Sequence, residues 1–269
     1  MTETLPETVR LAPSVTKLPA DVAGAVIVSG SHGGLYAGYL AAKAGPRAVI
    51  LNDAGVGKDD AGVAGLGLCE GLGLAAATVS HLSARIGDAG DMWARGTISH
   101  ANAVAAGLGV AAGMGCAEAA ARLSAASLPH RAPAPMEEAR AVEGDGPGRR
   151  IVVIDSASLV VPEDAGQIVV TGSHGGLVGG DPRMALQVEG FAAVFNDAGG
   201  GPDGCGMTRL PALDTRGIAG LTVAHTSARI GDGRSTLEDG IVSHANATAR
   251  RLGAAPGLAV GEIVDRWRR

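Results

Sequence analysis

The chain has 269 residues, 46% of them apolar, with 43 glycines, two each of Trp, Tyr and Phe, and a formal charge of −5. That length and apolar share allow one large domain or two small ones, with cores packed from small side chains. Few aromatic platforms and an acidic balance exclude base stacking and a basic phosphate-tracking stripe, so nucleic acid is not an expected partner.

The N-terminal stretch 1–10 carries Glu3 and Glu7 and lacks the apolar segment of a secretory signal. No apolar run reaches membrane-spanning length, so no membrane partner is expected. Residues 25–28 are the first continuous apolar run and read as a strand. It breaks into Ser31-His32-Gly33-Gly34, and a helix is expected over 35–44. A strand that turns into a helix start leaves backbone N–H groups for an anion or a polarised oxygen. A histidine there can move a proton near neutral pH. A second strand over 48–51 ends at Asn52-Asp53-Ala54-Gly55. A helix over 61–72 and a third strand over 75–79 follow; behind that strand come His81 and Ser83-Ala84-Arg85-Ile86-Gly87-Asp88. Ser99-His100-Ala101-Asn102 then leads into a helix over 101–108, with Ser99 as the expected N-cap and His100 and Asn102 in structural roles.

The pattern then returns. Ser173-His174-Gly175-Gly176, Asn196-Asp197-Ala198-Gly199, Ser227 to Asp232 and Ser243-His244-Ala245-Asn246 repeat the four motifs. Strands are expected over 168–170, 192–195 and 221–223, and an extra strand before each copy, most clearly at 150–154. Residues 124–150, with Pro129, Pro133, Pro135 and Pro147, have linker composition and one expected helical turn near 136–142. The division expected is an α/β repeat over 11–123, a linker over 124–150 and a second α/β repeat over 151–269. Short continuous apolar strands alternating with helical segments imply parallel sheets with right-handed crossovers. The fold class expected is therefore α/β: two tandem Rossmann-like domains, each with a mainly parallel, doubly wound sheet, related by a pseudo-twofold axis.

In parallel α/β sheets ligands bind beyond the carboxyl ends of the strands, where all three polar motifs of each copy fall. The candidate catalytic residues are His32, Asp53 and His81 in the first copy and His174, Asp197 and His225 in the second. In each copy a histidine moves the proton and the aspartate orients it. The candidate substrate-binding residues are Ser31, Gly33, Gly34, Asn52, Ser83, Arg85 and Asp88, with Ser173, Gly175, Gly176, Asn196, Ser227, Arg229 and Asp232. Backbone N–H groups at Gly33 and Gly34 would stabilise an oxyanion, and Arg85 would clamp an anionic end. Structural alternatives are a helix-capping turn at the Ser-His-Gly-Gly motif, an Asx-turn at Asn-Asp, and an internal Arg85–Asp88 pair.

A metal bound by the histidines and carboxylates is a rival, but no His-x-x-x-His or Cys-x-x-Cys spacing occurs, and neither metal nor other cofactor is expected. Cys69, Cys116 and Cys205 have unrelated spacings and form no disulfide framework, which fits a cytoplasmic protein. Cys205 is a candidate nucleophile, but its counterpart is Ala61. Gly55-Val56-Gly57-Lys58 is not a phosphate loop, because Asp59 stands where Ser or Thr is needed. The order strand, Ser-His-Gly, helix, strand, Asp-Ala resembles caspase-like peptidases. Their second motif would carry cysteine where this chain has Gly55 and Gly199, so the resemblance implies the sheet topology alone.

These residues point to an enzyme on a small polar substrate bearing a carboxylate or amide, with hydrolysis favoured and a homo-oligomer possible. A proton-transfer lyase or isomerase needs the same parts. A non-catalytic small-molecule binding protein with two anion sites, or a scaffold, is the alternative from another class.

Overall fold

The computed structural model describes residues 5–144 and 146–269; Glu3, part of the N-terminal stretch considered above, lies outside them. The chain divides into two compact units. Unit 1 runs to Ala54 and takes up again over Gly62–Met136; unit 2 comprises Gly55–Ala61 and Glu137–Arg269.

Unit 1 is built on β1 (Val9–Ala12), β2 (Val26–His32), β3 (Ala48–Asn52), β4 (Ala75–Val79) and β5 (Ile98–Ala101), arranged in that order. The first four are parallel and β5 is antiparallel to β4. Strands β3 and β4 are buried along their whole length, which is why they read as unbroken apolar runs. Helices α1 (Leu35–Lys43) and α2 (Gly65–Leu72) pack on one face, over Ile27, Val49, Leu51 and Ala76. The other face, with Val28, Ile50 and Ala77, is covered by α3 (Ala89–Arg95), α4 (Ala103–Gly107) and α5 (Cys116–Leu123) through Met92, Ala105, Ala120 and Leu123.

The expected doubly wound order is not formed. Consecutive strands are neighbours throughout, so the chain steps across the sheet in one direction and both crossover helices, α1 and α2, fall on the same face. There is no reversal point in the strand order; the carboxyl edge itself remains as the shared feature. Ser99 does not cap a helix either: Ser99 and His100 lie in β5, and the Asn102 side chain caps α4 by accepting the Ala105 N–H.

Unit 2 contains β6 (Arg140–Glu143), β7 (Ile151–Ile154), β8 (Ile168–His174), β9 (Ala192–Asn196), β10 (Ala219–Val223) and β11 (Val242–Ala245) in one sheet. Strands β7 to β10 are parallel, and β6 and β11 pair antiparallel at the two edges. Strand β6 lies where a helical turn was expected. The otherwise open edge of β7 offers Arg140–Glu143 a complete ladder, and tertiary pairing outweighs the local helix propensity. Helices α6 (Arg209–Asp214), α7 (Gly233–Glu238), α8 (Ala247–Arg251) and α9 (Val260–Trp267) complete the unit. Phe195, Val169 and Ile154 face Leu186 and Leu213 on one side; Val170, Val194 and Leu221 face Leu237, Ile263 and Trp267 on the other.

No α-helix follows β8. The segment equivalent to α1 reads Leu177-Val178-Gly179-Gly180-Asp181-Pro182, and two glycines and an interior proline remove the helix. Two short 3-10 turns, Val178–Gly180 and Pro182–Met184, take its place. Among the described residues no helix is long and apolar enough to cross a membrane.

Candidate functional site

The carboxyl edge of each sheet is set by a register that runs one residue past the strands. Asp53 N–H donates to the Val79 carbonyl at 2.9 Å, and Asp197 N–H to the Val223 carbonyl at 2.9 Å. This holds each aspartate beside the loop that leaves the next strand. In unit 1 the Asp53 Oδ1 accepts the His81 backbone N–H at 2.8 Å and lies 2.8 Å from the His81 Nδ1. In unit 2 the Asp197 Oδ1 accepts the His225 backbone N–H at 3.0 Å and lies 3.1 Å from the His225 Nδ1. One carboxylate oxygen thus holds both the main chain and the ring of each histidine. Asp53 and Asp197 are buried, whereas the imidazoles of His81 and His225 keep 20% and 28% of their surface.

Burial works to raise the Asp197 carboxyl, but hydrogen bonds from the His225 ring and main chain, the Ser243 hydroxyl and the Gly199 N–H outweigh it and hold the group below the ordinary carboxylate range. An ionised carboxylate only accepts, so a neutral His225 ring carries its proton on Nδ1.

The asparagines before these aspartates bind the main chain. Asn52 Oδ1 accepts the Ala54 N–H at 2.9 Å and Asn52 Nδ2 donates to the Ala84 carbonyl; Asn196 repeats both contacts with Ala198 and Ala228. These Asx-turns hold Ala54 and Ala198 at φ of 49° and 51°. Left-handed backbone at a residue other than glycine costs about 1–3 kcal/mol and persists where the surroundings over-determine it.

Other expected substrate contacts prove to be loop fasteners. Ser31 and Ser173 accept the N–H groups of Val15 and Ala157. Ser83 and Ser227 donate to the carbonyls of Ser80 and Ala224 and accept from Thr97 and Ile241. Asp88 and Asp232 cap α3 and α7 by accepting the N–H groups of Asp91 and Ser235. The arginines are engaged by carboxylates. Arg85 pairs with Asp91 at 3.1 Å. Arg229 pairs with Asp232 and Asp59, at 3.1 and 3.0 Å.

The expected oxyanion donors are also occupied. Gly33 N–H donates to the Asn52 carbonyl at 2.7 Å, and Gly34 N–H to the His32 Nδ1 at 3.1 Å. Gly175 N–H donates to the Asn196 carbonyl, and since no helix follows, Gly176 starts none. Accepting at Nδ1 leaves the His32 proton on Nε2. The ring keeps part of its surface, yet burial pushes it down to about 4, so it is neutral at pH 7. His32 ends β2 opposite Asn52, and His174 ends β8 opposite Asn196 and is buried.

Cys205 is buried and packs against the Gly200 carbonyl; burial pushes the thiols of Cys69 and Cys116 up to about 12. Among the described residues no three His, Cys, Asp or Glu side chains converge as a metal site would require. The chain matches no known protein family, no curated protein and no solved structure.

Two residues escaped the sequence reading. Ser243, which reaches Asp197, was legible only as half of a repeated Ser-His pair. Arg209 is 4% exposed and stands where the first copy has Gly65. Its Nε and Nη1 donate to the carbonyls of Gly176, Met184 and Ala185, and its guanidinium lies 4.8 Å over the Phe195 ring. A buried arginine against a glycine in the repeat was the available signal.

Proposed function

We propose that each unit carries a histidine general base oriented by a buried aspartate, His81 with Asp53 and His225 with Asp197. On this account the protein is an enzyme that acts on a small polar metabolite bearing a carboxylate or amide. The observation that carries the proposal is the double grip of one carboxylate oxygen on the main chain and ring of each histidine. Such a grip fixes tautomer and ring direction together, which general-base catalysis requires. Hydrolysis is the first assignment: Nε2 takes a proton from water as its oxygen attacks the carbonyl carbon. Neutral His32 replaces the glycine N–H groups as donor to the developing oxyanion in unit 1. The copies at 11–123 and 151–269, joined by 124–150, are then two mainly parallel α/β domains in a cytoplasmic protein.

A proton-transfer lyase or isomerase is the second assignment, favoured by the same neutral His32. A base paired with an imidazole held neutral as electrophile suits enolisation beside a carboxylate. Turnover of a panel of esters, amides and lactams, alongside deuterium exchange into small carboxylates, separates the two. His81→Gln with His225→Gln should lower whichever activity is found by about 100-fold or more with the melting curve retained. Full activity in the double variant would remove the general-base proposal. Ligand-induced thermal stabilisation without turnover by the parent protein would instead support a binding protein.

A further inference from the structure

We propose that the turn Gly55-Val56-Gly57-Lys58 is a positioning element for the His225–Asp197 pair, leaving room for the His225 ring only because residue 55 has no side chain. The turn and His225 both belong to unit 2. This assignment rests on His225 acting as the base. Lys58 N–H donates to the His225 carbonyl at 2.9 Å, on the same residue whose N–H is held by Asp197. A Cβ at Gly55 would stand 2.7 Å from the His225 Cδ2. Cδ2 is bonded to Nε2, so a methyl group there pushes the edge of the ring that carries the proton-accepting nitrogen. The main chain of His225 is thus fixed from two sides, and its ring is bounded by Asp197 at Nδ1 and by Gly55 at Cδ2.

The turn is held in a costly conformation. Val56, Asp59 and Asp60 have φ of 60°, 54° and 55°, and a β-branched residue in that region is an outlier. Such backbone survives where its surroundings over-determine it. Here two ion pairs do so: Lys58 Nζ with Asp239 at 2.9 Å and Asp59 with Arg229 at 3.0 Å. The charged groups around the turn and His225 in unit 2 include Lys58, Asp59, Asp60, Asp197, Arg229, Asp232 and Asp239. The Gly-Val-Gly-Lys motif, unfit as a phosphate loop, has a physical purpose as a clamp on the histidine.

The test uses the full chain with ¹⁵N-labelled histidine, reading the ring tautomer of His225 assigned with His225→Gln. Gly55→Ala should lower the Nδ1–H to Nε2–H ratio by roughly tenfold, the equilibrium worth of a hydrogen bond to a carboxylate. Gly253→Ala, at φ of 83° with open space around its Cβ, imposes like strain without the contact and should leave His225 unchanged. Lys58→Met, which removes the ion pair with Asp239, should move the ratio the same way by roughly twofold, and it carries the test if Gly55→Ala does not fold. An unmoved tautomer in folded Gly55→Ala or Lys58→Met overturns the proposal, as does an equal change in Gly253→Ala. A moved tautomer with turnover intact in His225→Gln supports the positioning role while removing the base assignment. An unmoved tautomer with turnover lost in His225→Gln does the reverse.

Discussion

The ends of β2 and β8 share Ser-His-Gly-Gly-Leu and then diverge. In unit 1, Gly34 caps a nine-residue helix, α1, which lies against α2 through Gly38 and Gly65. In unit 2 the helix is absent and Arg209, at the position of Gly65, donates to the carbonyls of Gly176, Met184 and Ala185, which bracket the two 3-10 turns. The backbone beneath is unchanged: Gly65 N–H donates to Gly33, and Arg209 N–H to Gly175, each at 2.8 Å. So is the aspartate–histidine pair. A layer that covers the sheet can therefore be rebuilt with one side chain, while the carboxyl edge keeps its geometry. That contrast separates the layer the repeat varies from the edge it keeps.

The comparison is broken most severely at Arg209. Arg209→Ala should cost about 3–5 kcal/mol, since it strands three carbonyls and empties a buried volume. Urea melts measure this; a loss below about 1 kcal/mol would mean that Arg209 does not stand in for the helix.

Next comes acid. His32 has its folded value pushed from 6.5 to about 4 by burial. A depressed histidine contributes stability that is present above the unfolded value and lost as pH falls from about 6.5 towards 4. The upper bound is about 3 kcal/mol, less for a ring that keeps some exposure. His32→Gln should flatten that part of the stability–pH curve relative to the parent; parallel curves would place the acid sensitivity elsewhere.

The mildest break is Gly65→Ala. Its Cβ would stand 2.7 Å from the Gly34 carbonyl and 2.8 Å from that of Gly33, in contact with the cap of α1. A destabilisation of about 1–3 kcal/mol is expected, with the pairing of Asp53 and His81 intact. If the melt is unchanged, α1 has room to move and the close helix contact is not what distinguishes unit 1.

Much of this was legible in the sequence. The continuous apolar runs located the central parallel strands, and the repeat located the polar edge. The order of strands was not legible, because short apolar runs do not encode their neighbours. The lost helix was legible after the fact in Gly179-Gly180-Asp181-Pro182, which the likeness of the two copies masked. The partner of each aspartate was open between two histidines, since Asp53 and His81 meet through strand register rather than spacing. The arginines misled because Asp91 and Asp59 lie outside the repeated motif, and a carboxylate from elsewhere takes the guanidinium first. The glycine N–H groups are engaged for a related reason: the neighbouring strand claims those of Gly33 and Gly175, and the His32 ring claims that of Gly34.

The most direct measurement is the ¹⁵N imidazole spectrum of the parent protein at neutral pH, with each histidine assigned by substitution. His81 and His225 should be Nδ1–H, each proton held by its aspartate, while His32 should be Nε2–H. An Nε2–H tautomer at either His81 or His225 would contradict the oriented general base on which the account rests.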